Sequence, residues 1–416
     1  MVKAKQTDTL KGGTVSGAGG AGTTVAGTVD SIVINKTIRA KVDNLKNINA
    51  SKFKNVDVNS YAKTDYRHGT GSLTGTAKSG IGGAVATLVV NKDAYSDIYN
   101  SIISSSGYIK NNSEINTEIL AFTMGFGGAG TAAISGCVTT QVLGSNSYSI
   151  IDNSQLSSDG IIDNKSKNTN NLDMYMATGD GAGTAAVGGV VYSLVDNTTS
   201  NAKIKNKSKI LKTTNLTNDA YTDAKYKVRS LNGAGAGTAA VNGAVDTLVL
   251  KNKAISEVDD TEIGNSENLS DVQKVNVTAK NITDVTFQTL QGDGAGTAAV
   301  NGNVNTIATT KETFAQINKT TANLSSDVKL DAYSKEDIGS TVICAAGAGT
   351  AAITGAVTTV ISGNKTYARI LGDSNIKTTV GGDTESAAHG VILKSQDKID
   401  EFDKYFKQLN YMIFIF

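Results

Sequence analysis

The residues able to do chemistry are few and scattered. His68 and His389 are the only histidines, and neither sits in an HExxH or Cys/His cluster. A zinc site or a Ser-His-Asp triad therefore has little to build on. His68, within Tyr66-Arg67-His68-Gly69, reads as an exposed turn residue. The acidic run Asp259-Asp260-Thr261-Glu262 is the kind of carboxylate cluster that β-helical lyases and glycosidases use. Charge runs are more often solvated faces, and this one reads as a solvated loop. Gly17–Gly22 and Gly125–Gly130 both match GxGxxG. A dinucleotide site needs those glycines between a strand and a helix. Here they lead into segments of period two, which favours tight turns. The GxxxxGK[ST] phosphate loop and the calcium-binding GGxGxDxUx nonapeptide are absent. Cys137 and Cys344 lie in different repeats and read as free thiols. No catalytic, cofactor or metal residue is expected.

What must position any site is a repeat. The pattern Val/Ile-x-Gly-x-Val-x-Thr/Ser-x-aliphatic occurs seven times, anchored at Gly27, Gly83, Gly136, Gly189, Gly243, Gly302 and Gly355. Subtracting residue numbers gives spacings of 56, 53, 53, 54, 59 and 53. A fixed period of that size marks a stacked architecture, usually a scaffold or binding surface. Alternation within each copy predicts a strand with one buried face. In the fifth copy the expected inward set is Val241, Gly243, Val245, Thr247 and Val249. The expected outward set is Asn242, Ala244, Asp246, Leu248 and Leu250. A hydroxyl ladder at the Thr/Ser position would satisfy its buried groups. Gly-Ala-Gly-Thr-Ala-Ala precedes most copies and predicts a tight turn. Asn-Lys pairs such as Asn35-Lys36, Asn91-Lys92, Asn252-Lys253 and Asn364-Lys365 predict polar turns after them. Further strands are expected at Val56–Val58, Val275–Val277 and Val328–Leu330.

The fold expected is all-β: a parallel β-helix of seven repeats of about 54 residues. The repeat domain is expected over 1–393, and a C-terminal amphipathic helix and apolar tail over 394–416. Ile399, Phe402, Phe406 and Leu409 carry the helical spacing. Two or three coils per repeat would make a rod of roughly 70–100 Å.

Composition narrows the function classes. The chain has 416 residues, 44 glycines, no proline and no tryptophan, and a net charge of +1. That balance gives no reason to expect nucleic acid or an anionic membrane as partner. No apolar run is long enough for a spanning helix, so no transmembrane segment is expected. The polar opening Met1–Asp8 does not read as an export signal. It matches the close of a repeat, so the expectation is a fragment of a longer product.

The segment Gly-Ala-Gly-Thr-Ala-Ala-Val-x-Gly-x-Val-x-Thr-Leu-Val, followed by Asn-Lys, resembles repeats of filamentous-haemagglutinin-like bacterial surface proteins. The closest likeness is to leukotoxin-like and adhesin-like passengers of fusobacterial type, over about residues 12–370. The resemblance implies a right-handed parallel β-helix exported to the cell surface, and adhesion to host cells or toxicity. It implies host-cell glycans or extracellular matrix proteins as partners, no cofactor and no enzymatic activity. A toxin passenger is the alternative. A carbohydrate-active β-helix enzyme, using Asp259, Asp260 and Glu262, is a weaker one.

Overall fold

In the computed structural model the described residues are 1–46, 53–264, 271–378 and 391–400. They form strands throughout. The chain opens with β1 (Val2–Gly20), β2 (Thr23–Asp43), β3 (Phe53–Thr76), β4 (Ser79–Tyr99), β5 (Ile102–Ala129) and β6 (Ala132–Asp152). It continues through β7 (Gln155–Ser158), β8 (Ile161–Ala182), β9 (Ala185–Lys205), β10 (Ser208–Ala236), β11 (Ala239–Asp259), β12 (Thr261–Ile263) and β13 (Val272–Ala295). It closes with β14 (Ala298–Asn318), β15 (Thr321–Leu324), β16 (Val328–Ala348), β17 (Ala351–Leu371), β18 (Asn375–Thr378) and β19 (Val391–Asp400).

Each repeat makes one coil. A long strand of the first sheet turns into a strand of the second, and the chain then returns to the first sheet. The second sheet runs β17-β14-β11-β9-β6-β4-β2, all parallel, with one strand per repeat. Val241 lies beside Val300 on one side and Val187 on the other. The molecule is thus the expected parallel β-solenoid, with one coil where two or three were expected. Seven rungs at ~4.8 Å stack to about 30 Å, and strands of 21 residues reach about 70 Å across. The result is a plate, not a rod.

The strands are long because the turns lie elsewhere than the Asn-Lys pairs. Asn35-Lys36, Asn91-Lys92, Asn252-Lys253 and Asn364-Lys365 sit inside β2, β4, β11 and β17. The chain turns about nine residues later, at Asn44, Asn100, Asn153, Asn206-Lys207, Asp260, Lys319 and Gly372, all with positive φ. Asn and Asp tolerate that left-handed geometry because their side chains bond locally. At five of these seven bends a Ser or Thr follows, and these residues stack. The Ser101 amide donates to Ser154 Oγ at 3.1 Å, and the Ser154 amide to Ser208 Oγ at 3.3 Å. The opposite turns are two residues long. There Gly130, Gly183, Gly237, Gly296 and Gly349 stack so tightly that an added Cβ would lie 2.1–2.3 Å from the carbonyl of the rung before. A side chain at any of these five places would force the neighbouring turn to shift.

The core lies between the sheets, and the assignment of the pentad faces is reversed. Val241 and Val245 are exposed, at 41% and 47%, while Asn242, Ala244, Asp246, Leu248 and Leu250 are buried. The Thr/Ser ladder therefore faces out. The inside is layered along the strand. One apolar layer includes Val258, Ile204, Ile317, Val277 and Leu330. A second includes Leu248, Leu250, Tyr226, Met174 and Phe287. Within the first layer a polar ladder takes the place of apolar side chains on three rungs, in register with Val277 and Leu330. Asn111 Nδ2 donates to Asn164 Oδ1 at 2.8 Å, and Asn164 Nδ2 to Asn218 Oδ1 at 2.7 Å. In-register stacking gives Asn111 and Asn164 an amide partner one rung on, while Asn218, which faces Val277 there, donates to the Ala202 and Glu257 carbonyls and to Ser256 Oγ.

Where the C-terminal helix was expected to begin, β19 runs to Asp400 and pairs with β16. Phe402, Phe406, Leu409 and the tail Tyr411–Phe416 lie outside the described residues, as does His389.

Candidate functional site

The structure scatters the candidate residues over separate rungs. His68 is no turn residue. It sits within β3, its side chain is 11% exposed, and Nδ1 lies 2.7 Å from Asp30 Oδ2. Its ring stacks on Tyr66 at 5.7 Å between centroids. Thr70 Oγ1 also donates to Asp30, at 3.3 Å. The pair ties β3 to β2 across the interior, a bond between the sheets.

Asp259, Asp260 and Glu262 lie at the bend between β11 and β12. Asn318 Nδ2 donates to Asp259 Oδ1 at 2.7 Å. Glu262 is paired with Lys209 at 2.7 Å, one rung away. Lys207, Lys209 and Lys319 share the surrounding depression with Asp260 and Glu262. The charges are interleaved in sign, so the cluster is an ion-paired edge and not two carboxylates facing a substrate. The extra length of this repeat falls between Ile263 and Val272, since both still pair in register with β10.

Cys137 is buried, and its Sγ donates to the Ala177 carbonyl at 3.3 Å. Burial pushes its thiol up to about 12, which leaves it inert as a nucleophile. Cys344 sits in β16, with its Sγ 3.4 Å from Gln291 Oε1 on the neighbouring rung. Both thiols are free. Among the described residues no group of three or more His, Cys, Asp or Glu could hold a metal. Both GxGxxG segments run along a strand into the two-residue turn or its approach, and another strand follows. No described helix is long and apolar enough to cross a membrane.

Sequence reasoning missed two features. The first is the set of ionisable groups between the sheets. Lys92 Nζ donates to the Asn116 carbonyl at 3.2 Å, and Lys311 Nζ to the Asn281 carbonyl at 3.0 Å. Burial lowers their pKa to about 7 and about 8. Burial also raises Asp196 to about 6 and Asp246 to about 7. Asp196 accepts from the Tyr226 hydroxyl and from Thr198 Oγ1. Each group is enclosed, so these are structural.

The second is a groove of about 570 Å³ on the outer face of the first sheet. It lies over Ala177, where the flanking rungs carry Met124 and Leu231. Phe122 and Tyr175 stack along one side at 5.0 Å. The Arg229 guanidinium lies 5.0 Å from the Tyr175 ring centroid and bonds Asp173 at 2.8 Å. A small residue between larger ones in register makes this notch, a signal visible only once the register is known.

The seven-rung repetition defines the class of protein, a β-solenoid scaffold. No protein-family model, no curated protein and no solved structure matches the chain.

Proposed function

We propose that this chain is a non-enzymatic structural and binding segment of a large bacterial surface adhesin of the haemagglutinin-like kind. It attaches to host-cell glycans or matrix proteins. One observation supports this reading most: the seven rungs repeat the same outward pattern in register, and the polar residues able to do chemistry are dispersed among them. Identical contacts spaced ~4.8 Å apart suit weak, multivalent attachment, in which avidity replaces a deep pocket. The groove beside Tyr175 and Phe122 offers aromatic faces on which a sugar ring can stack. The test is binding of the purified chain to immobilised glycans and matrix proteins, with Tyr175→Ala as control. Saturable binding that Tyr175→Ala weakens fits the proposal. Polysaccharide cleavage that disappears in an Asp259→Asn, Asp260→Asn, Glu262→Gln triple variant would replace it with the enzyme reading.

A further inference from the structure

Seven glycines on the outer face of the second sheet have no explanation within the chain. Mid-strand glycine costs about 0.5–1 kcal/mol relative to alanine. At five of the two-residue turns the packing is tight, because an added Cβ would meet a carbonyl at 2.1–2.3 Å. The pentad glycines differ. A Cβ on Gly27, Gly83, Gly136, Gly189 or Gly243 would come no closer than 3.4 Å to anything, an ordinary contact. On Gly302 and Gly355 it would meet nothing within 4 Å. None of the seven has a positive φ. Backbone and packing would accept alanine at every one.

Around that glycine stripe the face is apolar and uncharged. Val25, Ile81, Ile134, Val187, Val241, Val300 and Ile353 form one exposed ridge. Val29, Val85, Val138, Val191, Val245, Val304 and Val357 form the next. The glycines are the trough between them. No Lys, Arg, Asp or Glu occupies an outward position of any pentad. From the level of Ala239 to that of Val249 the face measures about 33 Å, and across seven rungs about 29 Å. That is roughly 950 Å² of flat surface, more than a soluble monomer usually leaves open. It also exceeds the ~800 Å² that each partner contributes to a stable interface of standard size.

We infer that this face is covered by the same face of a second copy of the chain, valine ridge in glycine trough. The pattern is self-complementary. A two-fold axis along the stacking direction, at the level of Ala244, sets Val245 over Gly243 of the second copy and the reverse. It then brings Val241 over Thr247 and Val249 over Ala239. On every rung the central valine meets a glycine, and the outer aliphatic residues meet Thr, Ser or Ala, because the register is shared. An isologous dimer of this kind closes and leaves both groove faces outermost. The inference does not rest on the adhesin reading, but it assigns the pentad face to the dimer contact and leaves attachment to the groove face of the first sheet.

Sedimentation velocity of the full chain from 1 to 100 µM tests it, with circular dichroism to check folding. Wild type should sediment as a dimer. Val191→Lys/Val245→Lys should weaken dimerisation roughly 100-fold by placing charge in the centre of the contact. Gly189→Leu/Gly243→Leu should do the same by filling the trough, with the strand content unchanged. A monomeric wild type at 100 µM overturns the inference. So does a monomer that binds phosphatidylcholine vesicles, which would make lipid the cover. A dimer that survives both double substitutions is joined elsewhere, as through strand edges, and overturns it too.

Discussion

The Asn111 side-chain amide donates to Asn164 Oδ1 across 2.8 Å, one rung to the next, deep between the two sheets. Asn164 donates onward to Asn218 and to the backbone carbonyls of Ser149 and Lys203, and accepts from Ser149 Oγ. Replacing it strands several partners at once. Asn164→Ala should lower stability by about 2–5 kcal/mol, since each buried unpaired group costs ~1–3 kcal/mol. Asn91→Ala, at an exposed asparagine of β4, should stay within ~0.5 kcal/mol. Equal urea midpoints for the two variants would remove the ladder from the account of stability.

The reversal of the pentad faces has its own test on β11. Leu248 is fully buried, so Leu248→Ala should cost about 2–5 kcal/mol. Lys251 points outward beyond the apolar face, and Lys251→Ala should change little. Comparable losses at both sites would argue against the observed inside and outside.

Stability should pass through a minimum near neutral pH. Asp196 and Asp246 have folded pKa values raised to about 6 and about 7, against ~3.9 unfolded. Their contribution is full below about pH 4 and is lost as pH rises through 6 and 7. Lys92 and Lys311, lowered to about 7 and about 8, act in the opposite sense. Their penalty is absent above about pH 10.4 and grows as pH falls toward 7. Denaturation midpoints between pH 4 and 10 check this. Asp246→Asn should flatten the acidic limb and Lys92→Met the alkaline one.

Small-angle scattering should give a plate about 70 Å wide and about 30 Å along the stack, with a largest dimension near ~80 Å if monomeric. The face-to-face dimer would be thicker by two sheets, not longer. A thin rod approaching 100 Å would contradict one coil per repeat.

The glycine period was enough to count the rungs, because a repeat that stacks in register must recur at nearly fixed length. The strands at Val56–Val58 and Val275–Val277 were legible for the same reason. The faces were not. Asn242 and Asp246 look like solvent residues, yet both are buried, against the opposite sheet, which no short window contains. Val245 looks like core, yet it stands exposed on the outer face of the second sheet. The turns were missed because Asn-Lys stood out more than Asn-Ser. Asn44, Asn100 and Asn153 carry the bend, and the Ser or Thr after most such bends is the signal that could have located it. His68 was misplaced because Asp30, its partner, is distant in sequence.

Because β8, β10 and β13 share one register, Ala182, Ala236 and Ala295 stand in line. Removing Gly183–Ala236 would bring Ala182 straight to the next turn, with every remaining strand still aligned. The loss of a single residue within a strand would instead turn its side chains to the wrong face. Adding or removing one whole repeat should therefore leave the protein foldable, so that its length can change by rungs while its pattern of faces is kept.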